Sequence, residues 1–182
     1  MSRFIVGVIG AGRASERDED NARRLGELIA REGWVVLSGG RSAGVMNAAS
    51  EGAKRIEGSL TVGVLPGADS SDAAVSEHVD VVIFTGMGQA RNNVNVLSSN
   101  VVVACGASGA GTVSEIALAL KARRHVILLT DDEAARSFFK RLGGERVAFA
   151  DTPAAVVEQI KIIFPGAVAE QPADYNSHPP RA

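Results

Sequence analysis

The sequence predicts a Rossmann-like α/β fold: a doubly wound, mostly parallel sheet of about seven strands with helices on both faces. Three observations predict it. Short Val/Ile-rich runs alternate with longer helical patterns along the chain. Most of the runs are near-continuously apolar rather than alternating, as strands covered on both faces require. Glycine-rich stretches follow three of the runs, and on one edge of a parallel sheet such stretches converge.

In chain order the strand candidates are FIVGVIG (4–10), WVVLSGG (34–40), LTVGVLPG (60–67), VDVVIFTG (79–86), NVVVACG (100–106), HVILLT (125–130) and RVAFA (146–150). Helical patterns lie between them. DEDNARRLGELIAREG puts Leu25, Leu28 and Ile29 on one stripe. AGVMNAASEGAKRIEG follows the second strand, QARNNVNVLSS the fourth and TVSEIALALKARR the fifth, and TPAAVVEQIKIIF closes the fold. One domain over residues 1–164 results. The remainder, PGAVAEQPADYNSHPPRA (165–182), holds four of the six prolines and no apolar period, and reads as an extended or disordered tail.

Bulk properties narrow the function. Of 182 residues 46% are hydrophobic but only 4% aromatic, so Val, Leu, Ile and Ala must fill the core. The net charge is -2 with no basic patch, which argues against nucleic acid as the partner. No apolar run approaches the ~20 residues of a membrane span. The N-terminus MSRFIVGVIG shows one Arg and then a strand rather than a signal peptide, and Cys105 has no internal disulfide partner. A cytoplasmic protein is the expectation. His78, His125 and His178 show no metal-ligand spacing. Cys105 reads as a small core residue and Trp34 as packing under the sheet edge.

The glycine loops carry the chemistry. After the first strand stand Gly10 and Gly12; after the second, Gly39, Gly40, Ser42, Gly44 and Met46; after the fifth, Ser108, Gly109, Ala110, Gly111 and Thr112. The first begins a dinucleotide fingerprint, but Ser15 stands where the third glycine belongs. The second strand ends in Ser38-Gly39-Gly40 and lacks the acidic residue that would hold a ribose. The third nearly spells a P-loop, with Thr112 in place of the lysine that reaches the outer phosphates. A helix N-terminus still binds anions through its free N–H groups and dipole. One such loop is explained by the demands of a tight turn alone. Three on one edge point to a ligand site for a small phosphorylated molecule.

Two charged residues flank these loops. Glu115 follows Thr112 by three positions, the spacing of a capping box. Arg91 lies in the first turn of a helix, where a cation opposes the dipole by roughly 0.3–1 kcal/mol. That placement points to a tertiary partner or ligand anion; the alternative is a surface arginine.

GGRSAGVMNAASEGA, then ARN, then GAGTVSE resembles the LONELY GUY superfamily, often mislabelled as lysine decarboxylases. The resemblance covers roughly residues 4–164. It is closest to the branch of molybdenum-cofactor carrier proteins, in which the arginine is followed by asparagine, here Asn92. It implies that Gly39, Gly40, Ser42, Gly44 and Met46 form one ligand motif and Gly109, Gly111 and Thr112 the phosphate loop. Arg91 and Glu115 match the catalytic pair of enzymes that split a nucleoside 5′-monophosphate into free base and ribose 5-phosphate. It also implies a homodimer or larger assembly.

The departures from the pattern are specific. Arg41 replaces the third glycine of the first motif, Asn92 the enzymes' lysine and Asn100 an aspartate. GASGAGT is one residue longer than the family loop and lacks its proline. Two functions stay open. A carrier would hold a phosphorylated pterin such as molybdenum cofactor and need no further cofactor. A hydrolase would use Glu115 to stabilise positive charge on the sugar while Arg91 grips the phosphate. Decarboxylation of lysine is set aside, because Lys54, Lys121, Lys140 and Lys161 all lie outside the three loops.

Overall fold

All seven predicted strands form in a computed structural model that describes residues 3–71 and 74–167. They are β1 (Ile5–Gly10), β2 (Val35–Ser38), β3 (Leu60–Leu65), β4 (Val81–Phe84), β5 (Val101–Cys105), β6 (His125–Leu129) and β7 (Val147–Ala150). They pair in the order β4-β3-β2-β1-β5-β6-β7, every pair parallel.

The helices are α1 (Glu16–Arg31), α2 (Gly44–Ala53), α3 (Arg91–Ser98), α4 (Ala110–Lys121), α5 (Glu133–Gly143) and α6 (Pro153–Ile163). The strands show why the pattern was continuous rather than alternating. Val101, Val103 and Cys105 of β5 join one core cluster with residues of α1, α2 and α6. Val102 and Ala104 of the same strand join a second cluster with residues of α3, α4 and α5. Both faces are covered, so every position of β5 is buried.

Local signals set the helix starts. Ser15 caps α1 by accepting from the Asp18 amide, and acidic residues fill that first turn. Thr152 caps α6 ahead of Pro153. α1 and α2 cross at glycines. A methyl at Gly26 would overlap the carbonyl oxygen of Ala49, and one at Gly52 that of Arg23.

Two readings change, and one connection without an assigned helix is a strap. The sequence reading gave no helix to 133–143, yet α5 is there, with Asp132 accepting from the amides of Ala134 and Ala135. A parallel β6–β7 pair needs such a crossover. Between β3 and β4, by contrast, no helix forms among the described residues. A strap takes its place: Val75 bridges Arg41, the Ser76 amide donates to Gly40, and the Asp80 carboxylate accepts from Thr61 and Lys54. The packed domain also runs beyond residue 164. Pro165–Ala167 forms a 3-10 turn, and the Trp34 indole N–H donates to the Ala167 carbonyl at 2.6 Å, which buries both. The rest of the expected tail, 168–182, lies outside the described residues.

The strand order positions the site. The chain winds outward from β1 to β4, then returns to lay β5 against β1 and winds the other way. Loops leaving β1 and β5 therefore part in opposite directions, and a crevice opens at the carboxyl ends of these two strands.

Candidate functional site

A cavity of about 220 Å³ occupies that crevice. Its floor is the end of β1 and the turn after it, from Ile9 through Gly12. Gly10 must be glycine, because a methyl there would lie 2.5 Å from Val45 of α2. Gly39 and Met46 form one wall, and Gln89, Arg91 and Asn92 form another at the start of α3. Ser108, Gly109, Gly111, Thr112 and Glu115 close it from α4 and the loop before it.

α4 begins at the cavity without a side-chain cap. Its N-cap is Gly109, held at φ 88°, a conformation that side chains disfavour. The amides of Ala110, Gly111 and Thr112 make no hydrogen bond among the described residues; the first backbone bond of this turn runs from Val113 to Gly109. Three donors at the positive end of a twelve-residue helix thus lie beside the opening.

Arg91 is the first residue of α3 and is 7% exposed. Its guanidinium stands 4.0 Å from Glu115 Oε1 across the cavity. Room for it comes from Gly39, where a methyl would lie 2.6 Å from a guanidinium nitrogen. Its Nε is buried without any partner. Burial, with the nearby charge of Arg41, holds its pKa below the ordinary value against the opposing pull of Glu115.

Glu115 is equally buried. Asn95, one helical turn beyond Arg91, donates to Glu115 Oε1 at 3.2 Å. Loss of water raises the Glu115 pKa, and the Asn95 bond and the Arg91 charge only partly oppose this. The capping-box reading of Thr112 and Glu115 is therefore corrected. Thr112 lies inside α4, and the carboxylate turns to α3 instead of back to its own helix.

The remaining residues of the sequence reading fall into two groups. Gly10, Gly12, Gly39, Met46, Arg91, Asn92, Ser108, Gly109, Gly111, Thr112 and Glu115 converge on the cavity. Gly40, Ser42, Gly44 and Ala110 do not line it. Gly40 and Gly44 shape the backbone: both have positive φ, and methyls there would meet Gly63 and Ala11 respectively. Ser42 is exposed and its amide donates to Ala74. Val8, Ile9, Ala11 and Gln89 of the lining were missed, as was Asn95 behind Glu115. Only Asn95 had a signal, its i+4 spacing from Arg91 on one helix face.

Among the described residues, no group of His, Cys, Asp and Glu could hold a metal ion, and no helix is long and apolar enough to cross a membrane.

Comparison with known proteins adds relatives. A model of the SLOG cluster4 family matches residues 3–157. An uncharacterized protein of Archaeoglobus fulgidus is 44% identical over 129 residues, covering 71% of this chain and 82% of that one. The structure of the molybdenum cofactor binding protein of Rippkaea orientalis superposes with a TM-score of 0.86 at 51% identity, over 90% of this chain and 99% of that one. The molybdenum cofactor carrier protein of Chlamydomonas reinhardtii gives 0.84 at 43% identity, with the same shares covered.

Proposed function

The chain belongs to the SLOG cluster4 family, and from that premise we propose that it binds molybdenum cofactor as cargo, by the phosphate, and carries it unchanged. One observation carries the reading. A buried guanidinium with an orphaned Nε faces the same cavity as an uncapped helix N-terminus. A buried cation without a hydrogen-bonding acceptor is costly unless a ligand completes it. A phosphate monoester supplies oxygens for the guanidinium and for the amides of 110–112 together. Met46 and Ile9 give the cavity an apolar side suited to a flat ring. The relatives that bind or carry molybdenum cofactor support the choice of cargo.

A hydrolase reading has one observation in its favour, the Glu115 carboxylate beside Arg91 in the cavity. Hydrolysis of an N-glycosidic bond needs that carboxylate charged against a cationic sugar. Here burial raises its pKa against the opposing Asn95 bond and Arg91 charge, and Asn95 already occupies one carboxylate oxygen, which leaves less of the group free to face a cationic sugar.

The experiment mixes the protein with molybdenum cofactor and, separately, with nucleoside 5′-monophosphates. Carriage predicts that molybdenum and pterin elute with the protein on gel filtration and that no free base forms. Cofactor that passes unretained, together with base release from a monophosphate, overturns it. The same reading has the chain assemble as a homodimer or larger, which light scattering checks.

A further inference from the structure

Arg91 and Glu115 are both buried and both line the cavity, yet they stop short of a hydrogen-bonded pair, with 4.0 Å between the guanidinium and Glu115 Oε1. In the empty site the carboxylate is the counter-ion of that guanidinium. A bound phosphate sets a second anion on the same guanidinium, and on the amides that open the helix carrying Glu115. A ligand oxygen about 3 Å from the guanidinium lies within about 7 Å of Glu115 Oε1. Two negative charges so close in a partly buried site repel enough to shift a protonation equilibrium more than tenfold. A proton on Glu115 removes the repulsion and turns one of its oxygens into a donor. An acceptor stands beside it besides the ligand: Asn95, which donates to Oε1, has its own Oδ1 buried without a partner.

We infer that Glu115 takes up one proton as the anion binds, so that the empty site holds a carboxylate beside Arg91 and the filled site a neutral carboxyl. The inference rests on the phosphate reading given above and assigns Glu115 to ligand binding. The proton comes from solvent, and no bond of the ligand changes. Affinity then falls as pH rises between the empty-site and filled-site titrations of Glu115, and is level on either side. Burial, which raises the Glu115 pKa against Asn95 and Arg91, moves the empty-site titration toward neutral pH. Few other groups can interfere. α4 packs on α3, β1, β5 and β6. Of their titratable side chains α3 offers only Arg91, β1 none and β5 only Cys105, whose thiol burial pushes up. His125 opens β6 at the opposite edge of the sheet.

The probe is sulfate, a tetrahedral oxyanion whose own charge is constant across the titration. Calorimetry at each pH in two buffers of different ionisation enthalpy counts the protons taken up per sulfate. The native chain should take up close to one, and its affinity should fall by up to about tenfold per pH unit through the window. Glu115→Gln, neutral at every pH, should lose both the uptake and the slope. A second readout needs no variant: the infrared difference spectrum of the native chain should gain the C=O stretch of a neutral carboxyl when sulfate is added. Sulfate binding by the native chain without proton uptake, or without that band, overturns the inference, as does a Glu115→Gln chain with the native uptake. Those results leave the phosphate reading standing, whereas a native chain that binds no sulfate at any pH removes that reading itself.

Discussion

At Glu115 the loss of water outweighs the help from Asn95 and Arg91, so the folded protein holds that proton more tightly than an unfolded chain does. The consequence has a definite sign. Where the folded state binds more protons, stability falls as pH rises. The favourable contribution of neutral Glu115 is complete below the ordinary glutamate range and is lost as pH climbs through the raised folded value. Glu115→Gln keeps the neutral shape at every pH. Thermal unfolding should therefore show the variant at least as stable as the native chain at pH 7, with the difference vanishing near the pH where Glu115 is protonated in both states. A marked drop in its melting temperature at pH 7 would contradict the argument. Part of this site was legible in the sequence: Arg91 drew attention because a cation opens a helix there, and burial in the cavity explains it. Of the two readings of Glu115 the capping box falls, because a capping box and a carboxylate aimed at a neighbouring helix share one spacing. Only the packing of α3 on α4 separates them.

Among the elements, α1 and α2 depend on two glycines that the sequence presents only as weak points in helical patterns. Gly26 faces the Ala49 carbonyl and Gly52 the Arg23 carbonyl too closely for any side chain. Gly26→Ala gains helix propensity yet forces the helices apart. It should destabilise the fold by roughly 1–3 kcal/mol, read by urea unfolding. An unchanged or raised midpoint would show that the helices can shift at no cost. The strands were legible because their apolar runs are short and continuous. α5 was not, although Asp132 and the Phe138–Phe139–Leu142 pattern mark it in retrospect. The strap that replaces a helix between β3 and β4 had no local signature. Its fixing bonds reach to Gly40, Thr61 and Lys54, far away in the chain.

For the whole molecule, alternation of strand and helix announced the fold class, but no local pattern encodes which strands are neighbours. The order in the sheet puts β5 beside β1, and so brings the first and fifth loops to one crevice. The second glycine motif contributes mainly as scaffold: Gly39 and Met46 reach the cavity, while Gly40 and Gly44 let backbones approach. The central claim is that an anion is held between Arg91 and the start of α4. A crystal structure of the protein with molybdenum cofactor bound tests it most directly. The account predicts phosphate oxygens about 3 Å from the Arg91 guanidinium and from the amides of residues 110–112. A cofactor bound elsewhere, with Arg91 closed onto Glu115 in a direct pair, would contradict it.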